Sequence, residues 1–300
     1  MDVPGFIPIV PAEWLQTRSA DECRSSIPVR HIANLCNAGS HDILVAMSVG
    51  DSPMHGVSGA LPLGMMTALE ERGFVVFPGP FFLDQLGVIA DVYDAEVGAA
   101  VGDDIRVGST STRVVDFVNP GPLFDPLYVY PPLLDAAVRT VGPAIKLSSL
   151  HARTLLPGPA ALDIHVDVER GSPDWPLLGF IFMIDAFTPD NGATRFIAGS
   201  HRWSDSPRDV ELTEYAPQLE SACGPAGSLL VFNGSAWHGQ GVNNSDRPRR
   251  SLQGAFIPRG GRASTDFSSR MTLETRARLS GVARCVLAIP DARPVPTEWS

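Results

Sequence analysis

The rhythm of apolar and polar positions changes once along the chain, near residue 144. Upstream of that point the pattern is helical. Met65, Met66 and Leu69 recur at helical spacing within 63–72, and Gly73 follows as a natural stop. Phe74-Val75-Val76-Phe77 predicts a short strand closed by Pro78-Gly79. Leu83, Leu86, Ile89, Ala90, Tyr93 and Val97 fall on one stripe of an amphipathic helix. A third helix is predicted over 132–141, with proline near its start and Gly142 at its end. Downstream, short runs rich in β-branched and aromatic residues follow one another between Gly, Pro, Asn and Asp. They cover 145–156, 162–168, 177–186, 194–197, 228–233, 236–242 and 250–257. Serial short strands without intervening helices predict an antiparallel sandwich or barrel. A helical pattern returns over 271–279 and the tail is Pro-rich.

The first sixty residues show no sustained period, and 41–49 fits a strand or a short helix equally well. They read as an N-terminal extension, wrapped on the main domain or partly mobile. Residues 61–300 then form a single domain whose β core spans about 145–258. The expected class is mainly β with flanking helices.

Composition narrows the function. Hydrophobic residues at 44% and charged residues at 19% of 300 suit a globular protein with an ample core. No apolar run approaches the roughly 18–20 residues of a membrane span, and Met1-Asp2-Val3-Pro4 lacks the basic start of a secretory signal. A net charge of −10 argues against a nucleic-acid binder. Lys146 is the single lysine, so almost every cation is an arginine. Cys23, Cys36, Cys223 and Cys285 are widely spaced without a C-x-x-C pair, which favours neither a disulfide framework nor a thiolate metal site. A cytoplasmic setting follows, with imidazole and carboxylate left to carry metal or catalytic chemistry.

In Leu162-Asp163-Ile164-His165-Val166-Asp167-Val168, side chains of a strand alternate faces, so His165 and Asp167 point the same way with Asp163 beside them. A histidine and a carboxylate two apart supply two adjacent ligands of an open metal site. His238, at the head of a late strand, offers the second imidazole. Taken alone, H-x-D is a weak signal, and a hydrogen-bonded strand histidine explains His165 as well. Eleven residues past His238 stands Arg249, whose guanidinium can grip a carboxylate through two parallel hydrogen bonds. Its neighbours Arg247 and Arg250 read as a solvated cluster that balances local acid.

Three blocks, in order, resemble the phytanoyl-CoA dioxygenase family of iron(II)/2-oxoglutarate oxygenases. The first runs from Leu69 to Gly79, the second from Phe187 to Trp203 and includes Thr188-Pro189-Asp190-Asn191-Gly192-Ala193-Thr194, and the third runs from Ala226 through His238 to Arg249. Ala198 stands where the family usually carries proline. The resemblance implies a double-stranded β-helix, the cupin-like jelly-roll, in agreement with the strand count. It also implies that His165, Asp167 and His238 hold Fe(II), that Arg249 holds 2-oxoglutarate, and that Gln240 and Ile181 line the same cofactor pocket. No catalytic residue beyond the metal ligands is singled out. Asp163 either meets a substrate cation or pairs with an arginine, and Trp175, in the loop after the ligand strand, is either a substrate lid or a packing anchor. The region from Arg106 to Tyr130 is expected at the pocket mouth.

The implied reaction oxidises a C–H bond of a small organic metabolite or natural-product intermediate with O2, releasing succinate and CO2. Because Asp167 is present, hydroxylation is favoured over halogenation, where relatives carry a small residue instead. The scarcity of lysine speaks against a CoA ester. Two other readings stand beside this one: a cupin-like metalloenzyme such as an isomerase, and a non-catalytic binding relative of the same fold. The helix from Met271 and the first sixty residues either cover the barrel's edge or build a homodimer.

Overall fold

The computed structural model describes residues 59–159, 163–169 and 176–290. The N-terminal extension, Trp175 and the Pro-rich tail therefore lie outside the described residues.

Helix α1 (Leu63–Arg72) ends on Gly73 in the left-handed conformation at φ +83, as its sequence requires. It leads into β1 (Phe74–Pro78), then α2 (Leu86–Ala99), of which Ile89 and Tyr93 are buried while Leu83, ahead of it, is exposed. Next come β2 (Ile105–Val107), β3 (Ser111–Val114), α3 (Asp125–Tyr128) and α4 (Pro131–Val141), which buries Leu133, Leu134, Ala136 and Ala137. The β-rich half follows: β4 (Ile145–Leu155), β5 (Leu178–Met183), β6 (Thr194–Ile197), β7 (Leu219–Ser221), β8 (Ser228–Asn233), β9 (His238–Gln240) and β10 (Arg249–Pro258). Three short helices close the described chain, α5 (Phe267–Arg270), α6 (Leu273–Arg278) and α7 (Gly281–Val286).

Seven strands pair antiparallel in the order β1-β8-β5-β10-β4-β3-β2, and β7-β6-β9 form a smaller sheet. An isolated bridge His165↔His238 knits a further segment to the smaller sheet, and Asn191↔Asn243 pairs the loops that precede β6 and follow β9. This is the jelly-roll plan. Strand alternation gives the large sheet two different faces. On the outer face Leu147, Leu150, Phe182, Val231 and Leu252 join α1, α2 and α4 in one apolar cluster. On the inner face Phe74, Val76, Ile181, Met183, Leu230 and Phe232 meet Phe187 and Phe196. Behind the small sheet Ile164, Ile197 and Trp237 pack with Trp203 and Tyr215.

Two differences from the sequence expectation have simple causes. The strand expected over 162–168 pairs only through the His165 bridge, and its neighbour β9 is itself three residues long. The short β2 and β3 are polar on the surface (Arg106, Thr112, Arg113), so they carry no apolar alternation to announce them, yet they extend the large sheet beyond β4. Cys223 is a free thiol, whereas Cys285 is disulfide-bonded, which the cysteine spacing did not favour. Among the described residues no helix is long and apolar enough to cross a membrane.

Candidate metal centre

His165 and His238 are cross-strand partners. Each backbone N–H donates to the other's carbonyl, at 2.8 and 3.0 Å, which brings the two rings to a centroid distance of 4.5 Å. Asp167 is anchored by its own N–H to the Gly234 carbonyl at 2.8 Å. One donor atom from each of His165, Asp167 and His238 lies within 4.8 Å of the others. The close approach depends on Gly239, because a Cβ there would sit 2.5 Å from the Asp163 carbonyl oxygen.

The backbone also sets the tautomers. His238 Nδ1 lies 2.8 Å from the Ala236 carbonyl and His165 Nδ1 lies 3.1 Å from the Asp163 carbonyl. A carbonyl only accepts, so each Nδ1 donates, which leaves Nε2 as the nitrogen placed to act as a ligand. Burial, partly opposed by Asp167 at 3.8 Å, holds His238 below the usual histidine range and hence neutral. Phe196 and Phe232 wall its ring at 5.3 and 5.0 Å.

The three donors open onto a cavity of about 810 Å³ that Arg249, Ile181, Gln240 and Asp163 also line. Arg249 is buried. Its Nε donates to the Asn191 carbonyl at 3.1 Å and one Nη to the Gly192 carbonyl at 3.0 Å, while its plane lies 3.6 Å above the Phe187 ring. The other Nη is buried without a partner. Burial chiefly, with Arg153 adding repulsion, pushes its pKa down to about 9, Asp185 and Tyr93 opposing. The carbonyls that hold it depend on Gly192, at φ +79, where a Cβ would meet Leu155 at 2.4 Å. Next along the strand, Arg250 faces the other way and grips Asp185 bidentately at 2.9 and 2.6 Å, so it balances acid as expected. Arg247 is exposed.

Gln240 accepts a hydrogen bond from Arg153. Asp163 lines the cavity in the field of Arg153 and makes no ion pair with a described residue. His201 Nε2 lies 3.1 Å from the Glu70 carbonyl and ties the Gly199–Trp203 turn to α1. Ser111 and Arg113 reach the cavity, as expected of the 106–130 region.

Sequence reasoning did not single out Arg113 within 106–130, gave His151 no role for want of a partner at metal-ligand spacing, and passed over Arg153. Arg153 is largely buried, with its Nε unpartnered. Burial chiefly, then Arg113, push its pKa down to about 10, against Asp163 and Asp167. His151 Nε2 is likewise buried without a partner, and burial followed by Arg113 and Arg153 push its pKa down to about 4. Period two along β4 was the available signal, since it puts Ser149, His151 and Arg153 on one face.

Comparison with known proteins adds three findings. A family model described as phytanoyl-CoA dioxygenase matches residues 98–251. Among curated relatives, "Dioxygenase aneA" of Aspergillus aculeatus is 40% identical over 106 residues, 32% of this chain and 35% of that protein. "Dioxygenase af480" of Aspergillus fumigatus is 27% identical over 54% of each chain. The chain thus spans about a third of the length of the first curated relatives it matches. Among solved structures, EctD from S. alaskensis with bound Fe superposes at TM-score 0.57, with 20% identity over 69% of this chain and 80% of that one. HygX from Streptomyces hygroscopicus with nickel and 2-oxoglutarate bound superposes at TM-score 0.55, with 17% identity over 68% and 90%. At these identities the likeness is one of fold.

Proposed function

The chain belongs to the phytanoyl-CoA dioxygenase family, and from that premise we propose that it is an Fe(II)- and 2-oxoglutarate-dependent dioxygenase. Its reaction is oxidation, favouring hydroxylation, of a C–H bond in a small organic metabolite or natural-product intermediate. A small molecule and O2 are its partners and the cytoplasm its setting. One observation carries the reading. Two imidazoles and a carboxylate converge on the same cavity as a buried arginine with an unpartnered Nη.

The residues fit the cofactors. Two nitrogens and one carboxylate oxygen on one side of a site suit a non-haem ferrous ion with open positions opposite. The three donor atoms lie within 4.8 Å of one another, close enough to share one ion. His165, Asp167 and His238 would hold it. The free Nη of Arg249 would take the far carboxylate of 2-oxoglutarate, the charge-assisted bond its present environment denies it. Bound there, the pair supplies oxidising chemistry in which 2-oxoglutarate and O2 become succinate and CO2 and the substrate gains oxygen.

The chain's own residues do the rest. Carbonyls of Ala236 and Asp163 orient the imidazoles. Phe187 beneath Arg249 keeps water from the carboxylate's end of the cavity, and Ile181 lines the cavity farther along β10, opposite Gln253. Gln240 holds Arg153 in place. The heterologous cupin-like alternative has no use for Arg249. Slow conversion of 2-oxoglutarate to succinate that needs Fe(II) and is lost in Arg249→Met supports the oxygenase. Metal binding without any 2-oxoglutarate consumption contradicts it and returns the isomerase-type reading.

A further inference from the structure

One stretch of chain, 185–192, holds Arg249 from several sides. The Asn191 and Gly192 carbonyls accept from its guanidinium at 3.1 and 3.0 Å, and the Phe187 ring lies 3.6 Å from its centre. The Asn191 side chain braces this stretch from within. Its Nδ2 donates to the Ala186 carbonyl at 2.7 Å and its Oδ1 accepts from the Thr188 N–H at 2.8 Å. Such a cradle fixes the guanidinium only if it is itself fixed to the strand that carries the arginine. That strand is thinly supported at this point. β5 ends at Met183, opposite Ser251, so Arg249 and Arg250 run on past its end and keep a ladder partner only in β4. Pro248, just before Arg249, has no N–H to give.

Asp185 stands where the missing strand would be. Its Oδ2 accepts from the Arg250 backbone N–H at 2.7 Å, and its own N–H donates to the Arg250 carbonyl at 3.4 Å. The peptide group that joins Arg249 to Arg250 is thereby held on the side that β5 leaves open. The same carboxylate takes Nε and one Nη of Arg250 at 2.9 and 2.6 Å, and Asp94 on α2 takes the other Nη at 2.9 Å. An ion pair that only balanced charge would need no bond to the backbone. We propose that Asp185 is a positioning residue for the co-substrate: it ties the 185–192 cradle to the start of β10 and so fixes where Arg249 presents its free Nη. This rests on the reading of Arg249 as the arginine that holds 2-oxoglutarate. Position and charge predict opposite signs. Asp185 is also among the charges that act on Arg249. A negative charge beside an anion's site weakens anion binding, so removal of a mere charge would tighten 2-oxoglutarate. Removal of a positioning group loosens it.

The test is equilibrium binding to the full chain loaded with Ni(II), which permits no turnover. 2-Oxoglutarate is compared with 2-oxopentanoate, which keeps the chelating end and lacks the far carboxylate. The wild type should prefer 2-oxoglutarate by about tenfold or more, the worth of a charge-assisted bond. Asp185→Asn should lower that preference by about fivefold or more through 2-oxoglutarate alone, with the Kd of 2-oxopentanoate and of Ni(II) within about twofold of wild type. Asp185→Glu keeps the charge but moves the carboxylate by a methylene. It should lower the preference too, and it carries the test if the asparagine variant does not fold. Asp94 is 60% exposed and bonds only the outer Nη of Arg250, so Asp94→Asn should leave the preference unchanged. Three results overturn the proposal: the wild-type preference in Asp185→Asn, tighter 2-oxoglutarate in that variant, or equal weakening of both ligands, the mark of general loosening. Failure of the underlying reading looks different. A wild type that binds both ligands equally would take the co-substrate role from Arg249, and the proposal with it, before any substitution is made.

Discussion

The interior between the two sheets has two halves, built on one face of the same seven strands. Toward β1, β8 and β5 it is filled by Phe74, Phe196, Phe232, Leu230 and Met183, with Phe74 and Phe196 stacked at 4.5 Å. Toward β10, β4 and β3 the equivalent positions are Arg249, Gln253, His151, Arg153 and Arg113, and they enclose an open cavity. The apolar half excludes water and supplies packing. The polar half leaves buried Arg249, Arg153 and His151 atoms unpartnered, a cost of about 1–3 kcal/mol for each such group. His238 sits on the boundary, its ring walled by the aromatic half and its Nε2 turned to the other. The difference teaches that stability and function are separable along a single sheet face, and that the site borrows its rigidity from its apolar neighbour.

Phe196→Ala breaks the comparison hardest. It removes contacts with Phe74, Phe232 and His238, and a buried phenylalanine truncated to alanine costs about 3–5 kcal/mol. Urea unfolding should show that loss, together with weakened metal binding. Asp167→Ala on the other half should do the converse. Its side chain is 39% exposed, so the unfolding free energy from urea titration should stay within about 0.5 kcal/mol of wild type. Ferrous-ion affinity in a chelator competition should nevertheless fall by more than the ~10–100-fold typical of outer-shell partners.

Gly192→Ala joins the two effects. A left-handed residue with a Cβ 2.4 Å from Leu155 should lose about 1–3 kcal/mol of stability, and the displaced Asn191 and Gly192 carbonyls should release Arg249. Raised 2-oxoglutarate Kd alongside lowered Tm is the expected pair of results. The smallest effect is a pH dependence. His151 is held near 4 in the folded chain, against about 6.5 when unfolded. Below the unfolded value the unfolded chain takes up a proton that the folded chain refuses, so stability falls with pH through that window. Between pH 7 and pH 5 this contributes about 2 kcal/mol of loss. Replacing His151 by Gln should remove that component from the urea midpoint against pH, and an unchanged slope would show that the group is not buried as described.

These halves were not equally legible. Runs rich in β-branched and aromatic residues announced β6 and β8 to the residue and β5 to within three, because strands buried on both faces carry apolar residues along most of their length. The three donors were visible because H-x-D at strand spacing and a distant histidine are a chemical signature, and Arg249 because of its distance from His238. Gln240 and Ile181 came only through family resemblance, and both line the cavity. Arg153 and His151 stayed hidden for a physical reason. A polar residue facing an internal cavity has the same alternation as one facing solvent, and only the fold tells which side is enclosed. Arg113 was harder still, because β3 has four residues and no apolar period. Its meaning comes from the strand beside it.

The central claim is that the boundary of the two halves is a metal and 2-oxoglutarate site. Its most direct test is the visible spectrum of metal-free protein given Fe(II) and then 2-oxoglutarate under anaerobic conditions. The account predicts a weak metal-to-ligand charge-transfer band that is absent in both His238→Ala and Arg249→Ala. Iron binding at His165 and Asp167 with no band on adding 2-oxoglutarate would contradict it.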